Sequence, residues 1–219
     1  AIITGTAMRA AVITHHFPND NVEPALARLR GLAAEFDCEL ILDTPLSEAE
    51  SGLRGLVNHE LAEADPDVAI VLGGDGSILR SLRTFAGTRT PTFGFNFGTI
   101  GFLTTVEREQ LPDGLRLALG GQFDTLKLPA LRLRYEHIDV HGFNDVSFHR
   151  ARDARVAEVA YGLAGETIGR VRCDGVVAAT PAGSTGYNLA NSGPILAWGV
   201  EGFVVSFIAP HTLTARALV

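Results

Sequence analysis

This sequence has little of several things. It holds 2 cysteines, Cys38 and Cys173, in 219 residues. Two thiols far apart make no disulfide framework and suit a reducing cytoplasm. No apolar run reaches the length of a membrane span, and no secretory signal is visible. Bases are outnumbered, 18 against 25 acids, for a net charge of −7. That balance argues against general nucleic-acid affinity and leaves small anionic ligands open. There is no charge block, low-complexity segment or internal repeat. Met8 is the single methionine; the seven residues before it carry no fold argument.

What is present is a folded chain, 46% hydrophobic, long enough for one large or two small domains with a real core. Its first half alternates strand and helix signals. Ala10–Thr14, Glu39–Leu42, Asp67–Leu72 and Pro91–Phe95 read as strands. Val22–Phe36 reads as a helix with Leu26, Leu29, Leu32 and Ala33 on one face, and Ser47–Ala64 as another. This is the pattern of a doubly wound α/β sheet. A helix over Leu111–Leu119 is also expected. After it, strand-like runs dominate: Leu126–Tyr135, Phe143–Phe148, Arg155–Tyr161 and Val176–Ala179. The expected division is an α/β domain over 1–104 and a β-rich domain over 105–219.

The stretch VLGGDGSILR, residues 71–80, joins an apolar strand to a helix whose apolar positions are Ile78, Leu79, Leu82, Phe85 and Ala86. Such junctions bind anions in open α/β sheets, because free N–H groups and the helix dipole face the ligand. Yet Asp75 sits among the glycines, where it should repel phosphate. No Gly-Lys-Ser/Thr follows, and Leu79 stands where a dinucleotide fingerprint needs its last glycine. Asp and Gly are also ordinary turn formers. A second glycine loop, Asn96–Leu103, follows the next strand and is placed to share the crevice. Asn144-Asp145 interrupts a strand-like run; amide plus carboxylate suits a base edge and sugar hydroxyls, and suits a turn equally. Residues 174–188, DGVVAATPAGSTGYN, end an apolar run in a loop of small and hydroxyl residues. There a ligand can lie against backbone, and Ser or Thr can cap the next helix.

Taken in order, GGDGS at 73–77, GFNFGTIGFL at 94–103, ND at 144–145, CDGVVAATPAGSTGYNLANSGPIL at 173–196 and PHTL at 210–213 resemble the NAD kinase family along most of the chain. The resemblance implies transfer of the γ-phosphate of ATP, or of polyphosphate, to the adenosine-ribose 2′-hydroxyl of NAD. It makes Asp75 the base at that hydroxyl, with Gly74 and Gly76 giving the ligand close access. It places Arg80 near a phosphate and Phe102 in the dinucleotide pocket. Asn144 and Asp145 match the pair that hydrogen-bonds NAD. Arg155, Arg172 and Asp174 fall at ligand-contacting positions. Thr185, Gly186, Tyr187, Asn188, Leu189 and Ala190 match the adenosine cradle, Thr185 by a hydrogen bond and Tyr187 by ring packing. Mg²⁺ or another divalent cation with ATP, a homodimer or homotetramer, and a cytoplasmic setting are implied too.

Ser77, Ala182 and Gly186 depart from the residues common in that family. Its members continue through further strands after PHTL, whereas this sequence ends at Val219, so the β-rich half is expected to be a shortened version. Two alternatives remain open. One is a lipid kinase of the diacylglycerol type sharing the GGDG loop; the other is a dinucleotide-binding protein without turnover.

Overall fold

A computed structural model describes residues 7–14, 22–43, 58–98, 101–212 and 214–219. The chain divides into two compact units, 1–125 and 126–219. The sequence boundary, after residue 104, falls earlier. The segment between carries a short strand and a helix that pack into the first unit's core.

The first unit holds β1 (Met8–Thr14), α1 (Val22–Glu35), β2 (Cys38–Leu42), α2 (His59–Glu63), β3 (Val68–Gly73), α3 (Asp75–Thr84), β4 (Thr92–Asn96), β5 (Val106–Glu107) and α4 (Leu111–Leu119). All strand pairs are parallel, in the order β2-β1-β3-β4-β5. Successive side chains on a strand point to opposite faces, and the buried residues divide accordingly. Ala10, Val12, Val68, Ile70 and Leu72 pack with Leu26, Leu29 and Leu32 of α1 and Leu115 of α4. Ala11, Ile13, Ala69 and Val71 pack with Leu61 of α2 and with Ile78 and Phe85. The sheet is covered on both faces, as parallel strands require. Of the helix expected over 47–64, residues 59–63 are helical, and 47–57 lie outside the described residues. Cys38 and Cys173 are both free thiols. Burial pushes Cys38 up to about 11, which keeps it protonated and unreactive near neutral pH.

The second unit is built from antiparallel pairs. β6 (Leu131–Tyr135) pairs with β7 (Ile138–Gly142). β8 (Asp145–His149), β11 (Gly175–Ala179) and β12 (Val204–Ile208) form a sheet with β11 in the middle. β9 (Ala157–Leu163) and β10 (Glu166–Cys173) form a hairpin. A single helical turn, α5 (Tyr187–Ala190), lies against β11. β7, β10 and β12 extend the strands read from sequence. The β9–β10 turn puts Ala164 and Gly165 at φ 51° and 88°. Two positive φ values match the twist of a hairpin, but Ala is a rare residue there.

Leu115 is fully buried between α4 and the sheet. Leu115→Ala is expected to lower the unfolding free energy by roughly 2–5 kcal/mol, the range for deleting a buried leucine side chain. Denaturant titration measures this; a loss under about 0.5 kcal/mol would contradict the packing described.

Candidate active site

β3 ends at Gly73, Gly74 alone makes the turn, and α3 begins at Asp75. Asp75 is therefore the first helical residue, where an acid is stabilised by the dipole and by unpaired N–H groups. This removes part of the puzzle of an acid in a glycine loop. The rest comes from the second glycine segment. The Phe102 N–H donates to both carboxylate oxygens of Asp75, at 3.2 and 3.0 Å, and the Leu103 N–H donates at 3.1 Å. A side chain placed on Gly74 would come within 3.8 Å of Gly98 Cα, and the Phe97 N–H donates to Gly73 O. The two glycine stretches therefore meet at the carboxyl ends of β3 and β4, where open α/β sheets bind ligands. Gly76 is exposed, and no atom lies within 4 Å of where its side chain would begin. The Phe102 side chain is 81% exposed. Residues 99 and 100 lie outside the described residues.

Arg80 is engaged within the fold. Its Nη1 lies 2.5 Å from Asp43 Oδ2 and its Nη2 donates to Thr14 O at 3.1 Å. The guanidinium is committed inside the fold because α3 carries it over the ends of β1 and β2.

In the second unit the motifs separated in sequence meet through backbone. The Thr180 hydroxyl donates to Phe143 O at 2.6 Å, and the Thr180 N–H donates to Asn144 O at 2.9 Å. The Gly183 N–H donates to Thr180 Oγ1. A methyl on Gly183 would fall 2.0 Å from Asn144 O; only glycine allows that approach. Asn144-Asp145 and the TPAGSTGY loop are thus one assembly. Burial pushes the Asp145 carboxyl up, because desolvation disfavours its charged form.

The cradle residues divide. Thr185, Gly186, Leu189 and Ala190 are exposed and Tyr187 half-buried. Asn188 is fully buried, and its amide donates to Ser184 O and Pro194 O, both at 2.9 Å. Its side chain holds the loop from inside, so within this segment Asn188 is a structural residue. No side chain caps α5; its N-cap is Gly186. Ser184, buried, instead donates to Pro181 O and accepts from the Leu196 N–H at 3.0 Å. Arg155 and Arg172 are exposed. Asp174 is paired with Arg150 at 3.1 Å, and His149 stacks on Tyr187 with ring centroids 6.0 Å apart. Neither Arg150 nor His149 was singled out in the sequence. Their one signal is position, since His149 pairs directly with Gly175 across β8 and β11.

Two family models together cover most of the chain. The ATP-NAD kinase N-terminal domain matches residues 21–123 and the ATP-NAD kinase C-terminal domain matches 143–219. The NAD kinase of Methanothermobacter thermautotrophicus is 31% identical over 212 residues, covering 97% of this chain and 74% of that protein. The chain belongs to the NAD kinase family. The NAD kinase of Gemmatimonas aurantiaca is 39% identical over 162 residues, which is 70% of this chain and 55% of that protein. A crystal structure of an NAD kinase from Archaeoglobus fulgidus in complex with ATP superposes with a TM-score of 0.71 at 28% identity. It covers 96% of this chain and 76% of that one. Yeast NADH kinase complexed with NADH shares the fold, with a TM-score of 0.77 at 21% identity over 98% of this chain and 70% of that one. These relatives favour the NAD kinase reading over a lipid kinase.

Gly183→Ala is expected to destabilise the second unit, because a methyl cannot share space with the Asn144 carbonyl. Overpacking of this kind costs roughly 1–3 kcal/mol, or about 2–10 °C in melting temperature. Gly186→Ala, whose added carbon meets nothing closer than 3.4 Å, is expected to melt with the wild type. Equal melting of the two variants would rule out the close approach.

Proposed function

We propose that this protein phosphorylates NAD at the 2′-hydroxyl of its adenosine ribose, using ATP, with polyphosphate as a second candidate donor. The observation that carries the reading is the held carboxylate of Asp75. A general base must keep one orientation while a polyanion is bound nearby. Three N–H contacts from Phe102 and Leu103 fix both oxygens of Asp75. A carboxylate has about four lone-pair sites, so room remains on it for a hydroxyl proton. The ribose oxygen would then attack the γ-phosphorus, the bond to the bridging oxygen would break, ADP would leave, and the proton would pass to Asp75.

In this reading Asn144, Asp145 and the exposed part of residues 185–190 hold the dinucleotide. Asp174, Arg155 and Arg172 supply further polar contacts. Among the described residues there is no cluster of three or more His, Cys, Asp and Glu fit for a metal ion. Mg²⁺ asks for only one or two carboxylates when phosphates and water complete its shell. The donor set thus fits a cation arriving with the triphosphate, near Asp75. Such an ion, when bound, screens the phosphate charge from the carboxylate. Among the described residues no helix is long and apolar enough to cross a membrane.

Asp75→Asn tests the assignment. The amide keeps the shape and can still hydrogen-bond a hydroxyl, but it accepts no proton at neutral pH. We expect NAD affinity within a few fold and kcat lower by roughly 10²–10⁴, the range for a lost general base. Turnover close to wild type, measured on folded variant at saturating NAD, ATP and Mg²⁺, would remove Asp75 from the chemistry. NAD binding without turnover in the wild type would favour the non-catalytic alternative.

The second unit leaves Leu126, Leu163, Ile168, Ile195 and Phe203 largely exposed. A homodimer or homotetramer is expected from the family resemblance, and a second copy would cover exposed apolar side chains of this kind. Light scattering at working concentration checks it: a stable mass of one chain, near 23.3 kDa, would overturn this assembly.

A further inference from the structure

We propose that Asp43 and Arg80 are a positioning pair that fixes the α3 turn carrying Asp75, and that Arg80 is not a phosphate ligand. The proposal rests on the kinase reading only for its kinetic consequence. Arg80 lies about one and a half helical turns beyond Asp75. Its side chain is 14% exposed and that of Asp43 is 4% exposed. A phosphate would therefore have to displace Asp43 from a nearly dry contact.

The pair is the centre of a connected set of hydrogen bonds. Arg80 also reaches Thr14 O at the end of β1. Asp43, just after β2, is anchored by its own N–H to Val12 O. Its other carboxylate oxygen accepts from Asn58 Nδ2 at 2.7 Å. Asn58 caps α2 through the Leu61 N–H, and its own N–H donates to Thr84 Oγ1 at the last residue of α3. So α3 is held at Arg80 and at Thr84 to β1, β2 and α2. Its remaining contacts with the sheet are one neutral hydrogen bond, between the Ser81 and Thr92 hydroxyls at 2.8 Å, and apolar packing through Ile78, Leu82 and Phe85, and no side chain caps its start. Apolar packing is non-directional and sets the rotation of a helix loosely, whereas a fork of charge-assisted bonds sets it closely. Stability alone explains the pair poorly, since well-packed apolar residues often serve a buried site as well or better. Orientation explains it, because a displacement of about 1 Å at a reacting group can cost 10²-fold in rate.

Two measurements on the full chain test this. The first is amide hydrogen exchange, which needs no activity. In Arg80→Gln we expect the first-turn amides of Ser77 and Ile78 to exchange at least about 10-fold faster, with β3 unchanged. The second is NADP formation. Arg80→Gln and Asp43→Asn should each lower kcat roughly 10–100-fold, with KM for ATP within about 3-fold, and the double variant should be no worse than either alone. If Arg80→Gln fails to fold, Arg80→Lys keeps the charge but loses the fork, and should shift both readouts the same way by less. Three outcomes would overturn the proposal: unchanged exchange at Ser77 and Ile78, a raised KM for ATP with kcat preserved, or losses that add in the double variant. Wild-type chain that makes no NADP would sink the kinase reading while exchange still decides the pair.

Discussion

The first unit depends on one strand with nowhere else to go. Every residue of β3 is buried, with β1 on one side, β4 on the other and helices on both faces. Its direction is therefore fixed, and so is the point at which the chain leaves it. One residue, Gly74, separates that strand from α3. A turn this short transmits the rigidity of the sheet to the first turn of the helix. The acid at that turn inherits a location set by the core.

The second unit reaches a similar end by other means. Its strands are antiparallel, and two of its three small sheets are pairs. Such a framework orders a loop less firmly than a covered parallel sheet. The TPAGSTGY loop is held by contacts of its own instead: Thr180 and Gly183 against residues 143–144, Ser184 against Leu196, Asn188 against Ser184 and Pro194. Its buried hydroxyls and the Asn188 Nδ2 group are spent on the loop's shape. What stays exposed is Thr185, Gly186, Leu189 and Ala190, with Tyr187 half-buried between them.

Legibility in the sequence follows from where the information lies. Strands buried on both faces, such as 68–73, read as continuous apolar runs, and α1 and α4 show helical spacing; all were visible. β10, ETIGRVRC, is largely exposed, so no hydrophobic alternation marks it. Its turn uses Ala164 where Asn or Gly would have announced a hairpin. The motifs carried the family and the identity of Asp75. Geometry carried the rest: Arg80 and Asp43 meet across the ends of different elements, which no local pattern shows, and nothing in TGYNLA shows that the Asn188 side chain turns inward.

The groups that grip Asp75 are main-chain N–H groups of residues 102 and 103. They are blind to the side chains attached to them. Every amino acid except proline brings the same donor, so position 102 is free to vary without loosening the acid. The residue itself is largely exposed, and only its main chain holds the carboxylate. The architecture thus separates what must stay constant, the backbone that grips the acid, from what can drift, the side chain carried at position 102.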